Sequence, residues 1–111
     1  MRLVVAVLRP AQLEAVRQAL AAVHVTRLTV CDAQGHHAAG AGGGLVQEAV
    51  MEIAVNDDFL ERTVETIRQA MRLGTPLPGD TAPADEAGRL FVLPIDEAVQ
   101  IYREVRGPEA V

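Results

Sequence analysis

The stretch from Arg27 to Val55, RLTVCDAQGHHAAGAGGGLVQEAVMEIAV, most limits what this chain can fold into. Its two ends are strand-like, with Leu28 and Val30 on one side and Val50, Met51, Ile53 and Val55 on the other. Between them lie Gly35, Gly40 and Gly42 to Gly44, interleaved with Ala38, Ala39 and Ala41. Such a segment has almost no side chain to bury, so nothing internal offsets the entropy of ordering it. The pattern predicts two strands joined by a glycine-rich protrusion that a sheet holds at both ends. A connection of this length in a small domain is either a plain hairpin loop or a functional one.

The flanking segments complete the sheet. Leu3 to Leu8 is an unbroken apolar run, which predicts a buried central strand. Arg9-Pro10 ends it, and Pro10 suits the first turn of a helix. Leu13, Val16, Leu20 and Val23 then recur at helical spacing, and a second strand is expected from Val25-Thr26 onward. After the third strand, Asn56-Asp57-Asp58 offers caps, Asp58 and Glu61 have capping-box spacing, and Leu60, Val64, Ile67 and Met71 form the apolar stripe of a second helix closed by Gly74. TPLPGDTAPADEAG, Thr75 to Gly88, reads as a second long loop. Arg89 to Leu93 is a fourth strand ended by Pro94, and Ile95 to Arg103 fits a helical turn or a fifth strand. The tail from Gly107 is expected to fray.

The order β-α-β-β-α-β is an α+β, ferredoxin-like arrangement: a four-stranded antiparallel sheet with two helices on one face. The 111 residues suffice for one domain, 1–111, with one modest core. The first strand is apolar on both faces, so the uncovered sheet face predicts self-association.

Composition narrows the chemistry. A net charge of −5 disfavours a nucleic acid or an anionic membrane surface as partner. The chain has no Ser, Lys or Trp, which excludes a serine nucleophile, a Schiff-base lysine and a P-loop lysine. Phe59, Phe91 and Tyr102 are its aromatic residues, too few for a base-stacking platform. The single Cys31 fits a reducing, cytoplasmic setting, and Met1-Arg2 leads straight into a strand rather than a signal peptide.

Several residues are candidates for binding. Gly88-Arg89 offers a backbone amide and a guanidinium to a phosphate, or is only a loop glycine and a surface arginine. Thr29 offers a hydroxyl to a ligand, and Gly35 lets one approach the backbone. His36 and His37, with Cys31, Asp32 and Glu48 nearby, are of metal-binding type. Adjacent strand histidines point to opposite faces, however, so a metal site would need a second chain. His24 is expected to cap the first helix. Glu48 and Glu52 share a strand face and read as a solvent-facing pair.

In this order the segments resemble the PII signal-transduction proteins. The likeness lies in VVAVLRP with Arg9-Pro10, in Val16-Arg17 and Ala19-Leu20, and in Thr26, Thr29-Val30 and Gly35. It continues through MEIAVNDDFLERTVETI and GRLFVLPI, where Arg89 stands for a lysine. The resemblance implies a homotrimer with adenine nucleotides in the clefts between subunits. It equates 36–47 with the T-loop that docks on a target protein, and 74–88 with the phosphate-wrapping B-loop. Residues after Val99 become the segment that closes over the nucleotide, with 104–111 as the C-terminal tail. No enzyme activity is implied.

The departures from that pattern redirect the ligand. The T-loop is shorter and has no residue to modify, since Ser is absent and the lone tyrosine is Tyr102. His36-His37-Ala38-Ala39 replaces a basic run, and Gln100 and Tyr102 replace arginines, leaving Arg103 if the register shifts by one. The second loop is acidic, with Asp80, Asp85 and Glu86. Each lost cationic contact is worth about 1.5–3 kcal/mol as a charged hydrogen bond. Fewer cations favour ADP or AMP, or another small anion, over ATP as effector. The binding set is then Thr29, Gly35, His36, His37, Gly88, Arg89 and Arg103, and the partner a transporter or metabolic enzyme. The competing reading is a metal-binding trimer like the CutA-type proteins, carried by His36, His37 and Cys31.

Overall fold

The computed structural model describes residues 1–37, 44–73 and 88–111. Strand β1 spans Arg2–Leu8, and a 3-10 turn at Pro10–Gln12 leads into helix α1, Leu13–Ala22. Strands β2 (Thr29–His37) and β3 (Gly44–Val55) follow, then helix α2 (Asp57–Leu73) and strand β4 (Gly88–Pro94). A 3-10 turn at Gly107–Ala110 ends the chain. The sheet order is β2-β3-β1-β4 with every pair antiparallel, the expected ferredoxin-like fold.

The apolar run of β1 makes it central, hydrogen-bonded to β3 on one side and β4 on the other. Its alternation sorts the two faces. Val4, Ala6 and Leu8 are buried with Ala49, Met51, Ile53 and Val55 of β3. Val16 and Leu20 of α1 and Thr63 and Ile67 of α2 close over them. Each fully buried large apolar side chain here contributes about 1.5–3 kcal/mol relative to exposure. Thr63 is tolerated because its hydroxyl donates to the Phe59 carbonyl at 2.8 Å within α2.

Helix α1 ends in a Schellman motif. The Val25 amide donates to the Leu20 carbonyl at 2.9 Å and the His24 amide to Ala21 at 3.0 Å, with His24 left-handed at φ 66°. His24 therefore caps through its backbone. Val25 is then committed to the core, so β2 starts at Thr29 and not at Val25.

Four other expectations are corrected. The β2–β3 ladder pairs Gly35 with Val46, His36 with Leu45 and His37 with Gly44, so strand extends into both ends of the 36–47 stretch. Its remaining residues, 38–43, lie outside the described residues, as do 74–87 with Asp80, Asp85 and Glu86. Helix α2 begins at Asp57, so of the three candidate caps Asn56 directly precedes the helix and Asp58 lies inside its first turn. The Asp57 carboxylate instead accepts from the Met1 ammonium at 3.0 Å and lies 3.5 Å from Arg2. Residues 95–106 form neither helix nor strand. They reverse direction through one bridge, Val99 to Arg106, with the Gln100 amide donating to Val105 at 3.0 Å and Gly107 to Ala98 at 2.8 Å. Finally, the segment from Gly107 is not frayed: the Asn56 side-chain amide donates to the Pro108 carbonyl at 3.0 Å.

Candidate functional site: the open face of the sheet

Helices cover one face of the sheet and leave the other open. Register fixes its rows. Thr29 lies opposite Glu52, Glu52 opposite Val5, and Val5 opposite Phe91. One step along, Cys31, Val50, Val7 and Arg89 form a parallel row. Apolar residues of β3 and β1 thus occupy the middle and continue onto the β4 edge, where Phe91 is 50% and Leu93 43% exposed. Polar groups mark the margins: Thr29 and Glu52 towards the β2 edge, Arg89 on the β4 edge.

Two of the expected ligand-facing residues, Thr29 and Gly35, share this face of β2 because they are an even number of residues apart. The Glu48 carboxylate rests where a Cβ on Gly35 would stand, so a flexible side chain fills the space over Gly35 that was expected to admit a ligand. His36 belongs to the opposite face, paired with Leu45, and His37 closes the ladder opposite Gly44. Gly88 also belongs to the helix face, where the Met71 methyl fills the space above it. That glycine serves the contact between α2 and β4. Arg89 and Arg103 are exposed and make no ion pair or hydrogen bond among the described residues.

The metal set does not assemble within one chain. Cys31 and His36 lie on opposite faces of β2, five residues or about 17 Å apart along the strand. Among the described residues no three His, Cys, Asp or Glu side chains converge.

Nor does one chain bring the anion-binding set together. Thr29 and Gly35 lie on one edge strand and Arg89 on the other, three strand spacings or about 14 Å away. Two features escape a one-dimensional reading. Glu52 faces Thr29 directly, which needs the β2–β3 register. The reversal at 100–105 exposes Ile101 by 91% and Tyr102 by 98%, which needs its turn. A shallow cleft of about 260 Å³ also opens beside His24, Arg27, Asn56 and Phe59.

Comparison with known proteins matches this architecture. The sequence profile described as "Nitrogen regulatory protein P-II" matches residues 1–105. Nitrogen regulatory protein GlnK1 of Methanosarcina mazei is 33% identical over 121 aligned residues, covering 100% of this chain and 97% of that protein. Nitrogen regulatory protein P-II 2 of Methanothermobacter thermautotrophicus is 30% identical, again covering 100% and 97%. Among solved structures, Arabidopsis thaliana PII bound to citrate superposes with a TM-score of 0.77 at 26% identity, covering 99% of this chain and 91% of that one. No helix among the described residues is long and apolar enough to cross a membrane. The chain belongs to the nitrogen regulatory protein P-II family of regulatory signalling proteins.

Proposed function

We propose that this chain is a trimeric regulator that senses ADP or AMP, or another small anion, in the clefts between its subunits. It signals to a target protein through the loop after Gly35. The observation that carries this reading is the placement of Thr29 and Gly35 on one edge of the open face and Arg89 on the other. A single chain cannot close both on one ligand; two chains set edge to edge can. Arg89 and Arg103 supply guanidinium contacts to phosphate or carboxylate oxygens, and Thr29 a hydroxyl. The Arabidopsis relative was solved with citrate bound, so one protein of this fold does hold a polyanion.

Binding beside Gly35 shifts the population of conformers in the hairpin that follows it, and the favoured conformer presents a docking surface. No covalent step is involved. The target is a transporter or metabolic enzyme in the cytoplasm. The metal reading is not favoured, because the chain matches regulatory proteins and no three of its described metal-type side chains converge within one chain.

The test is a calorimetric titration with ATP, ADP and AMP, on protein whose mass in solution is known. ADP or AMP binding weakened roughly 10-fold or more by Arg89→Ala is expected, the loss of one charged hydrogen bond. A trimer that binds none of the three contradicts the nucleotide reading.

A further inference from the structure

Strand β1 ends at Leu8, opposite Ala49, and beyond it β2 and β3 continue as a two-stranded ribbon. Side chains alternate along it, so Ala33, Gly35, Val46 and Glu48 share its open side. Ala33 stands opposite Glu48 and Gly35 opposite Val46, which makes Gly35 the diagonal neighbour of Glu48. A long side chain spans that diagonal, and a glycine leaves room for it. The Glu48 carboxyl carbon and Oε2 lie 2.5 and 2.8 Å from the point where a Cβ on Gly35 would stand. Glu48 is half-buried there, whereas Glu52 on the same face is exposed. Two carboxylates that strand spacing makes equivalent are therefore in different settings.

A carboxylate over Gly35 meets a ligand in two ways. Its bulk is easily moved, because it is the far end of a flexible side chain that a rotamer change swings aside. Its charge is harder to remove. A rotated Glu48 stays on the same edge of the sheet, and solvent screens a half-buried charge incompletely. The repulsion rises with the charge the ligand carries. Arg89, the cation proposed for the same cleft, comes from the far edge of the sheet. It draws an anion from one side while Glu48 opposes it from the other.

We infer that Glu48 is a specificity-determining residue: a resident carboxylate that competes for the corner over Gly35 and ranks anions by their charge. It rests on the anion-sensing reading above and sets its order, AMP before ADP before ATP. A preference for fewer phosphates, expected from the cations the chain lacks, has a second source in an anion it holds in place.

The experiment is calorimetric titration of the wild type and of Glu48→Gln with AMP, ADP and ATP in magnesium-free buffer. Glutamine keeps the shape of the side chain and removes its charge, and an unchanged far-UV circular dichroism spectrum verifies the fold. The affinity of Glu48→Gln for ATP is expected to rise roughly 10-fold or more, from the removal of one close like-charge contact. The gain for AMP is expected to be smaller, so the spread among the three nucleotides narrows. Added salt is expected to shrink the gain for ATP. A gain that is equal for all three nucleotides overturns the ranking by charge. Wild-type affinities for all three in Glu48→Gln overturn the inference and leave the regulator reading intact. No binding of any nucleotide by either protein overturns the nucleotide reading and the inference with it.

Discussion

At the scale of single residues, conformation and charge give separable expectations. His24 occupies the left-handed position of a Schellman motif at φ 66°, where a Cβ is unfavourable. His24→Gly relieves that strain and is expected to raise stability by about 0.5–1 kcal/mol in urea unfolding, even after the flexibility glycine adds to the unfolded chain. A loss of stability contradicts the cap assignment. Glu14 accepts from Arg17 and Gln18 on the exposed side of α1, and these hydrogen bonds lower its pKa from 4.5 to about 2. Because the folded value is depressed, the interaction is fully present above pH 4.5 and fades as pH falls towards 2. An NMR titration of the Glu14 side chain is expected to show the low midpoint, and Arg17→Ala to move it upward. Asp57 is also held below its ordinary value, by the Met1 ammonium.

At the scale of elements, the alternation of β1 and the helical stripe of α1 are readable because a single period decides each. Val4, Ala6 and Leu8 face the helices, and Val16 and Leu20 face them in return. Leu20→Ala is expected to cost about 2–5 kcal/mol, measured by the same unfolding, since Leu20 is fully buried. Boundaries were less legible. Val25 has strand character, but the α1 cap commits it to the core. Asp58 has capping spacing, but α2 begins at Asp57, two residues before a cap at Asp58 would start it. The 95–106 reversal was illegible for a stronger reason. Its anchor joins Asn56 to Pro108, 52 residues apart, and no local pattern encodes that. Asn56→Ala is expected to speed amide hydrogen exchange across 107–111 while leaving β1 and β3 protected. Unchanged exchange there shows that the segment is held by other contacts.

At the scale of the molecule, half of the candidate site could be read from the chain and half could not. Even spacing puts Thr29 and Gly35 on one face of β2 and sends His36 to the other, so the division of β2 needs no coordinates. The place of Arg89 depends on strand order, which only the pairing of β1 with both β3 and β4 reveals. That order sets Arg89 on the far edge from Thr29 and Gly35, which turns a list of candidates into a statement about assembly. Gly88, expected beside Arg89 in a phosphate grip, lies on the opposite face of β4 from it, with the Met71 methyl where a Cβ would stand.

The central claim is that the two edges meet only between chains, and subunit mixing tests it most directly. Gly35→Val obstructs one edge and Arg89→Ala strips the other. In a head-to-tail trimer built from both variants, one cleft retains two intact edges. Neither variant alone is expected to bind ADP at wild-type affinity in calorimetry, and the co-refolded mixture is expected to regain a fraction of wild-type sites. A mixture that binds no better than its separate components contradicts a cleft shared between subunits.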